Sequence, residues 1–161
     1  MSMVRLIYMS HFDSTVNPND MQNILETSRQ NNKNWGITGV LCYAPHCFLQ
    51  CLEGPRDHVN GLYNQIIGDE RHENVTLLQY AEIDERNFTK WSMAFIRIDE
   101  STEPIILKYS KSKLFDPFSM TALQAQGFIA EIAHDHEAYL ANQMARLFPK
   151  PENHSDPVVV E

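Results

Sequence analysis

Two side chains with polar tips stand in runs that otherwise read as buried strand. Tyr8 lies in VRLIYMS (4–10), where Val4, Leu6, Tyr8 and Ser10 share one face and Arg5, Ile7 and Met9 the other. Gln50 lies in FLQCLEG (48–54), on the face of Phe48 and Leu52. A buried amide without a partner costs roughly 1 to 3 kcal/mol, so something must pair with it. A structural hydrogen bond to backbone or hydroxyl would suffice. A phenol and an amide on neighbouring strands would instead form a polar floor for a ligand.

More polar groups sit at the ends of the elements that flank these strands. Asn31 and Asn32 close the first predicted helix, and Asp69, Arg71 and His72 follow the second. Taken singly, each suits capping or solvated charge. Gathered round one cleft, they would hold a polar molecule. The three cysteines, Cys42, Cys47 and Cys51, do not form a metal set. Cys47 and Cys51 on one strand are separated by roughly 13 Å, at about 3.3 Å per residue. Buried apolar thiols are expected, and their odd number in a chain without an export signal argues against a disulfide framework.

The elements that must position these groups follow from periodicity. After the first strand, Asn17 and Pro18 start a helix with Met21, Ile24, Leu25 and Ser28 at helical spacing, ending in QNNKNWG. GITGVLCYA (36–44) and CFLQCLEG (47–54) form a hairpin around Pro45 and His46. Gly54 and Pro55 open a second helix, with Val59, Leu62, Tyr63 and Ile66 inward and Gly68 at its end. NVTLLQYAEI (74–83) and SMAFIRI (92–98) read as a fourth and a fifth strand. The class is α+β: a ferredoxin-like β-α-β-β-α-β-β sheet with two helices on one face. First and third strands are neighbours in that order, so Tyr8 and Gln50 can meet.

Beyond Pro104 the pattern turns helical, in IILKYSKSKLF and in a long segment with Leu123, Ile129, Ile132 and Leu140 apolar. These C-terminal helices are expected on the other sheet face. PKPENHSDPVVVE has no period and reads as a disordered tail. A net charge of −8 argues against a nucleic-acid surface or an anionic membrane face. No apolar run approaches the roughly 18 residues of a membrane span, and a cytoplasmic location is expected.

LIYMS with Tyr8 and Ser10, SRQNNKNWGITG with Ser28, Asn31, Asn32 and Thr38, FLQCLEG with Gln50, GDERHENV with Asp69, Arg71 and His72, and FTKWSM with Trp91 and Met93 occur in that order. Over about residues 3 to 98 the chain thus resembles the BLUF domains, blue-light receptors that bind FAD. The resemblance implies a domain over 1–100, a helical extension over 101–148 and a tail over 149–161. It implies a flavin ring between the two helices, with Asn32 on its pyrimidine edge, Asn31 beside the ring, and Ile24 and Ile66 as apolar walls. Ser10, Ser28, Asp69, Arg71 and His72 join the cofactor-binding set, Arg71 as a fixed donor fork on the polar side. Either Trp91 or Met93 is expected to face the flavin.

In the mechanism the resemblance implies, light drives electron and proton transfer from Tyr8, and Gln50 rearranges. A glutamine amide is both donor and acceptor, so turning it over or tautomerising it reverses its pattern. Tyr8, with an unperturbed pKa of about 10, starts as a protonated phenol. No enzyme activity is expected, since no second catalytic domain fits after residue 104. Output would pass through the fifth strand and the C-terminal helices to a protein partner, such as a transcription regulator, without direct nucleic-acid contact; homo-oligomers remain open. Two other readings are a ligand-binding regulatory module and an acylphosphatase-like enzyme, although no glycine-rich anion loop leads to an Arg as the latter requires.

Overall fold

The computed structural model describes residues 2–12 and 16–149. Its strands are β1 (Met3–Phe12), β2 (Thr38–Ala44), β3 (Cys47–Pro55), β4 (His72–Ile83) and β5 (Ala94–Arg97). Its helices are α1 (Pro18–Trp35), α2 (Arg56–Ile67), α3 (Glu103–Tyr109) and α4 (Ala122–Leu147). The expected tail, apart from Pro149, lies outside the described residues.

Local chemistry explains the boundaries. Asn17 caps α1 by accepting from the Asp20 amide at 2.9 Å, and Asp20 returns the bond to the Asn17 amide. Gly36 ends α1 in the left-handed region at φ 64°, a conformation that a Cβ disfavours. In the hairpin turn, His46 takes φ 73° directly after Pro45, the positive angle a type II turn needs at that position.

The strand order is β4-β1-β3-β2-β5. β1 runs antiparallel to β3 and β4, and β2 runs antiparallel to β3 but parallel to β5. This is the expected ferredoxin-like sheet with a fifth strand. On one face Val4, Leu6, Leu41, Phe48 and Leu52 pack with Leu25 and Val59 of α1 and α2. On the other, Ile7, Met9, Val40, Cys42, Leu49 and Cys51 pack with Phe128, Ile129 and Ile132 of α4. All three cysteines are buried free thiols. Burial pushes each above its ordinary pKa, Cys47 up to about 11, so none is a ready nucleophile.

Some sequence expectations need correction. β4 begins at His72, two residues early, and β5 is confined to Ala94–Arg97 instead of 92–98. The carbonyls of Ser92 and Met93 are taken by the side chains of Asn32 and Arg29, which ends the ladder there. β2 lies between β3 and β5, so the fifth strand, which follows Met93, does not adjoin the strand that carries Gln50. Leu140, an apolar position of a helix expected against the sheet, is 41% exposed, and Leu123 is 78% exposed. At 1.5 Å per residue, the 26 residues of α4 run ~39 Å, beyond the ~20 Å width of five strands about 4.8 Å apart.

Candidate functional site

The antiparallel register sets Tyr8 directly opposite Gln50. Both are buried, and Tyr8 Oη donates to Gln50 Oε1. With its oxygen so engaged, the amide points its nitrogen the other way, and Gln50 Nε2 donates to Met93 Sδ at 3.3 Å. A thioether sulfur is a weak acceptor, so this second bond is easily exchanged for a better one. Burial, reinforced by Tyr63 and Asp69, pushes the Tyr8 pKa well above its ordinary value. The phenol therefore keeps its proton at any physiological pH.

Above Tyr8, α1 and α2 leave a narrow cleft of about 230 Å³. Ile24 and Ser28 on α1, Leu62 and Ile66 on α2, and Asn31, Asp69, Arg71 and His72 at the helix ends line it. The Tyr8 ring approaches it through Tyr63 and His72, with centroids at 5.7 and 6.3 Å. Ser10 is fully buried and does not line the cleft itself, but it touches the lining residue His72, whose Nδ1 lies 2.9 Å from Ser10 Oγ. Burial lowers the His72 pKa, so the neutral ring is favoured. Arg71 clasps Asp69 through its side chain and its backbone amide, which holds the Asp69 carboxyl down at about 2.

Asn32 is placed differently from Asn31. It is buried, its Nδ2 donates to the Ser92 carbonyl at 3.0 Å, and its Oδ1 has no partner among the described residues. A buried amide oxygen left free can accept from a ligand N–H, but Asn32 lines a separate gap with Ser92 and Arg86 and not the α1–α2 cleft itself. Met93 is buried on the Tyr8 face, whereas Trp91 packs with the opposite core, its ring 6.0 Å from His136 on α4. Of the two, Met93 meets Gln50.

Sequence reasoning passed over several groups that shape this centre. Arg29 donates to the Met93 carbonyl at 3.1 Å. Arg5 and Glu53 form a buried ion pair at 3.0 Å, and Arg86 bonds to Thr38, Gly36 and Glu53. The available signal was opposite charges at strand positions that face the core, Arg5 beside Ile7 and Glu53 beside Cys51.

Fold and site together define a small α+β domain: a polar pair on a sheet, roofed by two helices with a gap between them. A family model described as sensors of blue-light using FAD matches residues 3–94. The chain belongs to this BLUF family and is a flavin-binding, blue-light-sensing domain. It is 33% identical over 93 residues to the photoactivated adenylate cyclase subunit beta of Euglena gracilis, covering 57% of this chain and 11% of that protein. Against the blue light- and temperature-regulated antirepressor BluF of Escherichia coli it is 28% identical over 108 residues, covering 66% and 27%. The chain thus spans only a small part of the curated relatives it matches. Among solved structures, BlsA in its photo-activated state aligns at TM-score 0.74 and 34% identity, over 80% of this chain and 93% of that one. The dark state of BlrB aligns at 0.62 and 32%, over 69% and 86%. Among the described residues no helix is long and apolar enough to cross a membrane.

Proposed function

We propose that this chain is a cytoplasmic FAD photoreceptor whose switch is the Tyr8–Gln50 pair and whose output passes to a protein partner through the C-terminal helices. The observation that carries the reading is the chain of hydrogen bonds Tyr8 Oη to Gln50 Oε1 and Gln50 Nε2 to Met93 Sδ, set beneath the α1–α2 cleft. The residues suit a flavin ring. Ile24 and Ile66 provide apolar walls, the unpartnered Asn32 Oδ1 can accept from a ring N–H, and Asn31, Ser28, His72 and Arg71 offer polar contacts at the rim. When bound and excited by blue light, the flavin supplies a strong one-electron oxidant.

The protein's part is to hold and redirect a proton. Tyr8 keeps its phenolic proton on the line to Gln50 Oε1. Were Tyr8 to give an electron and its phenolic proton to the bound, excited flavin, the bond that orients the amide would be lost until both returned, and the weak contact to Met93 would do little to restrain it. Gln50 can then present its oxygen where its nitrogen stood: Nε2 donates to the Tyr8 oxygen, and Oε1, which the Met93 thioether cannot supply with a hydrogen, is free to accept from another donor. The side chains of Met93 and of Trp91, two residues earlier, carry the change toward β5 and α4.

On the outer part of α4, Tyr139, Leu140, Met144, Leu147 and Phe148 are exposed. These apolar side chains support partner docking there, the partner being a transcription regulator or another signalling protein. The cleft lining does not distinguish one flavin tail from another, so the reading takes FAD from the family description alone. Chromatography of the released cofactor tests it: FAD is expected, and FMN or riboflavin as the sole species would replace that assignment. Partner capture in light and dark by the full chain, with and without Leu140→Asp and Met144→Asp, tests the output; capture that ignores both substitutions would place the surface elsewhere.

A further inference from the structure

The segment from Arg86 to Met93 is gripped at both ends. At its start Arg86 Nη1 donates to Thr38 Oγ1 at 2.9 Å and to the Glu53 carbonyl at 3.1 Å, while Nη2 donates to the Gly36 carbonyl at 2.6 Å. The fully buried Glu53 carboxylate accepts the backbone amides of Asn87 and Phe88, at 3.0 Å for the nearer oxygen in each case, as well as Arg5 Nη2 at 3.0 Å. At its far end the Trp91 carbonyl accepts from the Gly39 amide, Ser92 from Asn32 and Met93 from Arg29. Met93 Sδ then meets Gln50. Glu53 and Gln50 stand three residues apart on β3, on opposite faces of the sheet.

Pairing with Arg5 alone does not account for this arrangement. Buried charge is tolerated when paired and fully hydrogen-bonded, and here most of the bonds to the carboxylate come from loop amides. The loop is thereby referenced to the strand that carries the switch. We propose that Glu53 and Arg86 are positioning residues: they fix the start of the 86–93 strap, so that Met93 Sδ is presented to Gln50 Nε2 in the dark. This deepens, and rests on, the reading of Gln50 as the switch.

The test uses the full flavin-loaded chain. Arg86→Met removes the three side-chain bonds at a half-buried position without leaving a buried charge unpaired. It is expected to change the dark-recovery rate by roughly threefold or more when Met93 is present and by under about 1.5-fold in a Met93→Ala background, because an effect exerted through Met93 disappears with it. The ¹³C-methyl resonance of Met93 is expected to move in Arg86→Met without any illumination. Glu53→Gln is expected to move the same resonance; should that chain fail to fold with Arg5 unpaired, Arg86→Met decides alone. An unchanged rate and resonance in Arg86→Met, or the same fold-change with Met93 removed, overturns the proposal. A normal photocycle in Gln50→Leu would instead count against the switch, while the methyl resonance still reports on the strap.

Discussion

At the scale of the residue, Tyr8 and Gln50 were legible because each breaks an apolar alternation with a group that must find a partner. Asn32 was legible only as a polar helix end; its orphaned Oδ1 depends on the three-dimensional path of the Ser92 backbone. Asn32→Ala is expected to weaken flavin retention by about 1 kcal/mol or more, read as lower flavin occupancy after purification and dialysis. Occupancy equal to wild type would remove Asn32 from the binding set. His72 carries a pH dependence. Its folded pKa lies below the ordinary value of about 6.5 because of burial. Between those two values the unfolded chain binds a proton that the folded chain refuses, so stability is full above about pH 6.5 and declines as pH falls. His136, also lowered by burial, adds to the same slope. Asp69, held at about 2, contributes stability that is lost only at far lower pH. His72→Gln should therefore flatten the decline of the urea midpoint between pH 6.5 and 5, and parallel slopes would show that His72 titrates alike in both states.

At the scale of the element, the hairpin and the first two helices could be read from Pro45–His46, Asn17–Pro18 and Gly36, since each is a local backbone requirement. The start of β5 could not, because it is decided by side chains from α1 that claim the carbonyls of Ser92 and Met93 just before it. Nor could the exposure of Leu140, because periodicity gives the apolar positions of a helix without showing where the sheet beneath it stops. α4 should thus divide energetically. Ile132→Ala, in the core, is expected to cost ~2 to 5 kcal/mol, and Leu140→Ala no more than about 0.5 kcal/mol, by urea unfolding. Equal costs would mean that the outer half of α4 is as firmly docked as the inner half.

At the scale of the whole molecule, the sheet is shared between a flavin-side layer and an α3–α4 layer. A chain ending near Ser101 would bare Ile7, Met9, Val40 and Leu49 to water, and it is expected to associate or lose stability, seen as larger species in size-exclusion chromatography. Such a chain remaining monomeric and as stable as the full one would show that the helices are an appendage. The family architecture was legible from five short ordered motifs, whereas the strap that ties Glu53 and Arg86 to Met93 was not, since its bonds join three separate segments through backbone groups. In the proposed function, the reversible amide of Gln50 is what links both layers. The light-minus-dark absorption spectrum of flavin-loaded Gln50→Leu tests it most directly: leucine fills the site with no hydrogen-bond pattern to reverse, so flavin should be retained and the persistent red shift lost, whereas a red shift of wild-type size and lifetime would contradict the assignment of Gln50 as the switch.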